Sequence, residues 1–424
     1  MVNENKKYYL WVLGCQMNEA DAERIRSILN SLNFKETNYE KEANIIITIA
    51  CSVRQSAIDR IFGKARNWQK RKDLVTILTG CVINEDKPRL EKIFNNIIAI
   101  QEINKLPQIL SIKSSDLSPS KEYIEILPEY KDNFKAYVPI STGCNNYCTY
   151  CVVPYTRGRE KSRSSANILN ECKKLIKKGY KEITLIGQNV NSYGHDLKDE
   201  LSFPELLKQV SDLPGNFWVR FATSHPKDMS DELIDIIANN EKICNYIHLP
   251  VQSGDNEILK RMNRKYTREH YLELIDKIKK RISPLFLSTD IIVGFPRETR
   301  KQFKNSVKLF KYTKYDMAYI ALYSPRAGTA SYQMKDNVTK KEKKKRELKL
   351  DKVLKRYALK NNHNLIGETL EVLIDRKKND YYYGKSKTFR DARCQADNNL
   401  IGKFVKIEIT KAKTFSLEGE IKKE

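Results

Sequence analysis

The chain has 424 residues, of which 40% are apolar and 31% are charged, as in a globular protein of two or three domains. Lys and Arg number 77 against 53 acidic residues, and the net charge of +24 favours a polyanionic partner, most commonly RNA or DNA. The longest apolar run, 44–51, is too short to span a membrane, so an integral membrane protein is excluded and a cytoplasmic protein is expected.

Strand and helix patterns alternate over residues 1–118. Apolar strand patterns are followed by helical patterns, the strands lying at 7–14, 44–50 and 74–80 and the helices at 18–32, 52–68 and 87–94. Such alternation predicts an α/β domain with a parallel sheet and helices on both faces. The segment 111–123, rich in Ser and Lys, predicts a linker, and we assign residues 119–134 to the connection with the next domain.

A second series of strand patterns covers residues 135–334. Its six members are separated by helical patterns and lie at 135–141, 181–188, 217–223, 246–252, 286–295 and 316–324. These βα-type repeats predict a partial (β/α)6 barrel whose active site lies at the C-terminal ends of the strands. Residues 335–362 predict a basic connecting helix. Residues 363–424, with short strand patterns between turns, predict a small β-barrel.

Three of the nine cysteines follow the strand patterns of the first domain. Cys15, Cys51 and Cys81 each come directly after a strand, and the C-terminal ends of parallel strands lie together at one edge of a sheet. We expect no signal peptide at the N-terminus, and in such a chain cysteines favour metal binding or catalysis over disulfides. Each of them alone would more often be a small buried residue, but their shared position favours a ligand site.

Three more cysteines, Cys144, Cys148 and Cys151, form a CxxxCxxC motif after the first strand of the barrel. Thiolates this close together favour a soft metal centre, either zinc or an iron–sulfur cluster. A structural zinc site requires a fourth ligand, and the nearest downstream histidine is His195. Three ligands on a four-iron cluster would leave one iron open to bind a substrate. From the residues alone, a zinc site remains the alternative to an iron–sulfur cluster.

The position of this motif, after the first strand of a six-strand βα domain, resembles the radical S-adenosylmethionine superfamily. The resemblance implies a [4Fe-4S] cluster on Cys144, Cys148 and Cys151, whose open iron is chelated by the amino and carboxylate groups of S-adenosylmethionine. It also implies that electron transfer from the cluster cleaves this cofactor to a 5′-deoxyadenosyl radical, while the protein orients the reactants.

Motifs over nearly the whole chain narrow the resemblance to the methylthiotransferases, whose N-terminal domain holds a second cluster on three cysteines. The matching segments are LGCQMNEADAERI (13–25), ACSVRQSA (50–57), TGC (79–81), GCNNYCTYCVVPYTRGREKSR (143–163), ITLIGQNVNSYG (183–194), RFATSHPKDMSDELI (220–234), HLPVQSGDNEILKRMNRKYTREHY (248–271) and STDIIVGFPRET (288–299). The terminal β-domain resembles the RNA-binding TRAM module. The resemblance therefore implies a second [4Fe-4S] cluster, held by Cys15, Cys51 and Cys81.

Three branches of this family share the architecture. GCQMN, CSVR and NNYCTYCVVPYTRGRE resemble the branch that acts on N6-isopentenyladenosine at position 37 of tRNA, the MiaB type. The alternatives act on N6-threonylcarbamoyladenosine in tRNA or on an aspartate of a ribosomal protein. The chain departs from the family pattern at Ile49 and Ala50, where Asn and Thr are usual, and at Arg297, where Gly is usual. Without glycine, the loop at Arg297 is expected to differ locally.

The resemblance implies two uses of S-adenosylmethionine. One molecule methylates a sulfur carried by the N-terminal cluster, and a second supplies the radical that activates carbon 2 of the adenine for methylthio transfer. Gly187, Gln188 and Asn189, which end the second barrel strand, resemble the segment that contacts the cofactor. Polar residues near later strand ends are further cofactor candidates, although each alone is an ordinary loop group, and these are Arg220, Ser224, Gln252, Ser253 and Asp290.

The implied partner is the anticodon stem-loop of a tRNA, whose target adenosine would be flipped into the barrel. The helix 335–362 and the segments GKSKTFR (384–390) and KIEITKAKTF (406–415) would hold the RNA backbone. The alternatives are that the helix is a solvated spacer and that the many lysines reflect the composition of the genome and not an RNA partner. Asp316 and Arg326 would line the substrate mouth. We also expect an electron donor such as flavodoxin or ferredoxin and a monomeric protein, and we assign no sulfur source.

Residues beside the second cysteine triplet have predicted roles as well. Tyr147 and Tyr150 are expected to shield the cluster. Arg157 and Arg159 are candidates for binding phosphate or, alternatively, for pairing with Glu160 at the surface.

Two rival functions belong to other classes. A non-enzymatic iron–sulfur RNA-binding sensor would use the cysteines and the basic surface but would not cleave S-adenosylmethionine. A zinc-stabilised RNA-binding module would contain zinc and no iron.

Overall fold

The computed structural model describes residues 6–51, 55–112 and 122–422. Most of the predicted linker 111–123 and the start of the predicted helix 52–68 lie outside the described residues. No helix in the three described ranges is both long and apolar enough to cross a membrane.

A parallel sheet, with five strands in the described residues, forms the N-terminal domain. Its strands are β1 (Lys7–Val12), β2 (Lys35–Glu36), β3 (Ile45–Cys51), β4 (Val75–Cys81) and β5 (Asn96–Ile97). They lie side by side in the order β2-β1-β3-β4-β5. The helices of this domain are α1 (Gln16–Ser31), α2 (Gln55–Trp68), α3 (Lys87–Leu90) and α4 (Leu106–Ile109). Strand β3 is buried on both faces, which explains why it is a continuous apolar run.

The middle of the chain forms a partial barrel of parallel strands. The strands are β6 (Lys135–Pro139), β7 (Ser141–Thr142), β8 (Lys161–Ser162), β9 (Glu182–Ile186), β10 (Trp218–Ala222), β11 (Tyr246–His248), β12 (Phe286–Val293) and β13 (Met317–Leu322). The barrel consists of two parallel sheets, β6-β9-β10 and β11-β12-β13, joined by a bridge between Val219 and Ile243, while β7 and β8 pair separately. This arrangement confirms the predicted partial barrel.

Helices cover the outer face of the barrel. The short helix α5 (Val153–Thr156) contacts β4 of the N-terminal domain. The outer helices are α6 (Ser165–Lys177), α7 (Phe203–Ser211), α8 (Asp231–Asn239), α9 (Asn256–Arg261), α10 (Arg268–Arg281) and α11 (Arg300–Thr313). Ser202 and Thr299 begin α7 and α11 with capping boxes, which satisfy backbone N–H groups of the first turn. The principal apolar core lies between these helices and the outward-facing residues of the strands.

A long helix and a small closed barrel complete the described chain. Helix α12 (Lys340–His363) is followed by strands β14 (Thr369–Lys378), β15 (Tyr381–Ser386), β16 (Asp391–Gln395), β17 (Phe404–Ala412) and β18 (Ser416–Ile421), which close in the order β14-β15-β16-β18-β17. The predicted β-barrel is confirmed. Helix α12 is more than a connection, because Leu350 and Leu354 belong to the core of the partial barrel and Arg346 pairs with buried Glu298.

The loop at Arg297 keeps a left-handed backbone although the residue is not glycine. Its φ angle is +62°, and its backbone N–H donates to Asn337 Oδ1. The side chain is accommodated in the left-handed conformation, at an energetic cost. The expected local difference from the family's loop stays a prediction.

Replacing Arg297 with glycine is expected to raise the free energy of unfolding by about 0.5–1 kcal/mol, because relief of the left-handed strain exceeds the entropy cost of glycine. Denaturant titration measures this change. Arg300→Gly, in the first turn of α11, is the matched control and is expected to lower stability. Equal losses in both variants would contradict the strain at Arg297.

Candidate metal centre and cofactor site

Cys15, Cys51 and Cys81 lie at the C-terminal ends of neighbouring strands. Cys51 and Cys81 are direct register partners at the ends of β3 and β4, and Cys15 follows β1 on the other side of β3. A Cβ atom on Gly14, whose φ is +127°, would lie 2.8 Å from Cys51 Cβ and 3.3 Å from its Sγ. Glycine is thus what permits β1 and β3 to end so close together.

The second triplet lies on a loop that folds over the end of the partial barrel. The N–H of Cys144 donates to the carbonyl of Gly158, and that of Cys151 donates to the carbonyl of Cys148. Asn263 Nδ2 donates to the carbonyl of Tyr147, whose φ of +47° is left-handed. The loop is therefore fixed by contacts with its neighbours.

The cysteines of the second triplet are half-buried and close enough for their charges to interact. Burial, together with the charges of Cys148, Cys144 and Cys81, raises the pKa of Cys151 to about 12. Such a thiol becomes a thiolate when a bound metal supplies positive charge. No group of three or more His, Cys, Asp or Glu side chains in the described ranges is placed to hold a metal ion as it stands. An arrangement for one ion requires all ligands to converge on a single point, whereas in an iron–sulfur cluster each thiolate binds a different iron.

Arg157 connects the two triplets. It is 3% exposed, and its Nε donates to Cys81 Sγ at 3.1 Å. Its Nη2 pairs with Asp21 at 2.5 Å and donates to Asn18 Oδ1 at 2.9 Å, both on α1. The predicted phosphate contact of Arg157 is therefore wrong, because its donors are used inside the domain interface.

Two neighbours of Arg157 are placed differently from each other. Glu160 is buried and accepts a hydrogen bond from Ser192, so the predicted surface pair with the arginines is wrong as well. Burial raises the pKa of Glu160 to about 7. Arg159 is exposed, and its predicted phosphate contact stays a prediction.

Polar oxygens without partners surround the end of the barrel next to the second triplet. In the described part of the chain, five such buried side-chain oxygens follow four successive strands and belong to Ser141, Gln188, Asn189, Ser224 and Gln252. A buried polar atom without a hydrogen bond is costly, so this grouping calls for a polar ligand. The amine and hydroxyl groups of S-adenosylmethionine are donors of the required kind. The residues present therefore fit this cofactor.

The backbone at the same strand ends is shaped for a close approach. A Cβ atom on Gly187 would lie 2.7 Å from Ser141 Oγ. Gln252 and Thr223 have φ angles of +65° and +74°, which cost energy in residues other than glycine. Strain of this kind is found at ligand sites, where the surrounding structure maintains it.

Three of the predicted cofactor residues have other partners. Arg220 pairs with Glu182 at 2.6 Å and donates to backbone carbonyls of the C-terminal barrel. Ser253 Oγ accepts from the N–H of Asp255 at the start of α9. Asp290 Oδ2 lies 3.3 Å from His248 Nε2 inside the barrel. Arg220 is thus directed away from the oxygens at the barrel end. Ser253 and Asp290 stay beside Gln252, whose N–H donates to the Asp290 carbonyl, and their cofactor contacts stay predictions.

Two residues near the second triplet were missed by the sequence argument. Arg264 donates to Cys148 Sγ at 3.4 Å and to the carbonyl of Pro250 at 2.8 Å. His225 is kept neutral, because burial and then Arg264 lower its pKa to about 2. Arg264 is more than 100 positions from Cys148 in the sequence, so only its place within the matching segment 248–271 was a signal.

Family profiles match three parts of the chain. The profile of the Radical SAM superfamily matches residues 138–310, and that of Uncharacterized protein family UPF0004 matches residues 7–101. The profile of the TRAM domain matches residues 363–422. The three matches follow the order of the three folded units.

Full-length relatives share one description, tRNA-2-methylthio-N(6)-dimethylallyladenosine synthase. The protein of that description from Thermoanaerobacter pseudethanolicus is 40% identical, over 99% of this chain and 93% of the relative. One from Clostridium botulinum is 42% identical, over 99% of this chain and 98% of the relative. One from Carboxydothermus hydrogenoformans is 40% identical, over 98% of this chain and 99% of the relative.

Solved structures share the fold at low sequence identity. The radical S-adenosylmethionine methyltransferase TsrM from Kitasatospora setae, with cobalamin and a [4Fe-4S] cluster bound, is 11% identical with a TM-score of 0.56, over 89% of this chain and 80% of that one. The cobalamin-dependent S-adenosylmethionine radical enzyme OxsB, with aqua-cobalamin and S-adenosylmethionine bound, is 13% identical with a TM-score of 0.53, over 84% and 56%.

Proposed function

Because the chain belongs to the family of tRNA-2-methylthio-N(6)-dimethylallyladenosine synthases, we propose that it adds a methylthio group to carbon 2 of N6-isopentenyladenosine at position 37 of tRNA. The chain is a radical S-adenosylmethionine enzyme of tRNA modification. The observation that carries the proposal is the 40–42% identity over nearly the full length of relatives with this description.

The radical cluster is proposed to be a [4Fe-4S] centre held by Cys144, Cys148 and Cys151. The unpartnered oxygens beside it, those of Gln188 and Gln252 among them, would hold S-adenosylmethionine. When bound, the cluster and this cofactor would supply an organic radical. A radical is needed because acid–base catalysis alone does not activate an aryl C–H bond. The protein's own part is to fix the loop of the triplet and to keep water away from it.

A second [4Fe-4S] cluster is proposed on Cys15, Cys51 and Cys81. The meeting of these cysteines at adjacent strand ends supports it, as does the contact of Arg157 with Cys81 Sγ. N–H donors to cluster sulfurs tune the potential of such centres. Arg157 also joins α1 to the loop of the second triplet, so the same residue would hold the two sites in one relative position.

The tRNA is proposed to lie against the C-terminal barrel and the exposed lysines of α12. The TRAM profile over 363–422 and the net charge of +24 support this placement. The segment 384–390, predicted to hold the RNA backbone, turns inward instead: Lys385 pairs with Asp391, and Arg390 pairs with buried Asp316. We also propose that flavodoxin or ferredoxin is the electron donor and that the protein acts as a monomer.

Anaerobic assay of the purified protein tests this function. With dithionite, S-adenosylmethionine and an anticodon stem-loop carrying N6-isopentenyladenosine, we expect 5′-deoxyadenosine and the 2-methylthio nucleoside by mass spectrometry. The protein is expected to contain about eight irons per chain, as two four-iron clusters require. Product only from a threonylcarbamoyladenosine stem-loop would reject the substrate, and about four irons would reject the second cluster.

A further inference from the structure

The inside of the partial barrel is divided into a filled half and an open half. Met17 and Ala20 of α1 pack against Ile186 at the end of β9, beside Tyr137 and Ala222, and so cover the inner face of β6, β9 and β10 at this level. On the opposite side, Tyr319 of β13 is 45% exposed, and the side chain of Asp290 on β12 is 39% exposed. Below the proposed cofactor, a substrate group entering the barrel would therefore occupy the half formed by β11, β12 and β13.

A cavity of about 110 Å³ lies at the bottom of this open half. Its apolar walls are six large side chains, those of Tyr246, Phe286, Met317, Tyr319, Phe389 and Phe415. Gln252, at the level of the proposed cofactor, pairs with Ile291 of β12. Ser288 of the cavity wall lies three residues before Ile291 on β12. At about 3.3 Å per residue, the cavity wall is about 10 Å below the cofactor level.

The floor of the cavity comes from the C-terminal barrel and is rigid. The ring of Phe389 stacks on Tyr246 with centroids 4.2 Å apart and an angle of 16°. Phe389 has a left-handed φ of +62°, and Arg220 holds the preceding turn through the carbonyls of Ser386 and Lys387. Strained residues that are fixed in this way are typical of ligand-binding sites.

The chemistry of the cavity fits an apolar group on the target base. Carbon 2 and the N6 substituent leave the six-membered ring of adenine in different directions, so carbon 2 can face the clusters while the substituent points into the barrel. The cations that line the cavity are engaged: Lys385 pairs with Asp391 while its Nζ lies 4.3 Å from the centroid of the Phe389 ring, and Arg390 pairs with Asp316. An uncharged five-carbon chain suits these aromatic walls better than a substituent carrying a carboxylate.

We infer that the C-terminal barrel is part of the substrate pocket and that Phe389, stacked on Tyr246, forms the seat of the N6-isopentenyl group. This inference rests on the proposed function. The barrel that resembles an RNA-binding module thereby contributes a specificity residue to the catalytic cavity. Phe389 acts by packing against the substituent and takes no part in the radical step.

Binding of two anticodon stem-loops tests the inference, one with N6-isopentenyladenosine and one with plain adenosine. Wild-type protein is expected to bind the modified RNA about tenfold more tightly than the unmodified RNA, because the isopentenyl group is buried away from water on binding. Anaerobic fluorescence anisotropy measures both affinities. Phe389→Leu should reduce the ratio of the two affinities to about threefold or less, since the smaller side chain makes less contact with the isopentenyl group. Tyr319→Ala, on the opposite wall, should reduce it too.

Phe404→Leu is the matched control. Phe404 lies at the same junction and packs on Trp218, but it does not line the cavity. This variant should keep the wild-type ratio, and all variants should keep the affinity for the unmodified RNA. An unchanged ratio in Phe389→Leu, or an equal loss in Phe404→Leu, would overturn the inference. Absence of methylthiolation by the wild-type protein would instead reject the proposed function.

Discussion

Replacing Cys148 with alanine is expected to abolish formation of 5′-deoxyadenosine and to remove about half of the iron. The thiol lies between Cys144 and Cys151 in the loop over the barrel end, and Arg264 donates to it. With two thiolates left, a four-iron cluster loses one of only three protein ligands. Iron analysis and mass spectrometry after anaerobic reconstitution measure both changes.

Cys51→Ala is the complementary variant. It should lose the N-terminal iron and the methylthiolated product while still cleaving S-adenosylmethionine, because Cys51 belongs to the other triplet. Cys172, which is fully buried on α6, is the control cysteine, and Cys172→Ala should keep both iron centres. If Cys148→Ala still produced 5′-deoxyadenosine at the wild-type rate, the ligand assignment would fail.

Replacing Arg157 with leucine is expected to lower the free energy of unfolding by about 3–5 kcal/mol, because it leaves the carboxylate of Asp21 buried without its partner. The variant also loses the donor to Cys81 Sγ, so the electron paramagnetic resonance spectrum of an N-terminal cluster should change. Denaturant titration under anaerobic conditions measures the first effect.

The double variant Asp21→Leu, Arg157→Leu separates the ion pair from the other contacts of Arg157. Replacing both partners of a buried pair by apolar residues is commonly close to neutral. We therefore expect the double variant to recover most of the stability but not the spectrum of the N-terminal cluster. A double variant no more stable than Arg157→Leu would show that Asp21 is not the group left uncompensated.

Hydrophobic periodicity was sufficient to predict the three folded units. The apolar run of β3, the βα repeats of the partial barrel and the short strands after residue 363 all lie where the patterns placed them. Local signals of this kind work because burial on one or both faces of a strand fixes the side-chain pattern. For the same reason, the prediction that Cys15, Cys51 and Cys81 lie at strand ends is correct.

Charged side chains were the least predictable feature. Arg157, Arg220 and Arg390 are all buried, and each pairs with an acidic residue distant in the sequence. From composition alone, an arginine is expected to be exposed and available to RNA. Helix α12 shows the same difficulty, since its lysine-rich sequence includes Leu350 and Leu354, which pack in the core of the partial barrel.

The amino-acid sequence by itself determined the order of the domains, the two cysteine triplets and the resemblance to the methylthiotransferases, because these depend on neighbours along the chain. Only the tertiary structure decided which polar groups lie without partners at the barrel end, which arginines join domains and which half of the barrel is open. Those properties depend on pairs such as Arg157 with Cys81 and Phe389 with Tyr246, which are 76 and 143 positions apart. Contacts over such separations are set by the packing of whole domains, and no local pattern encodes them.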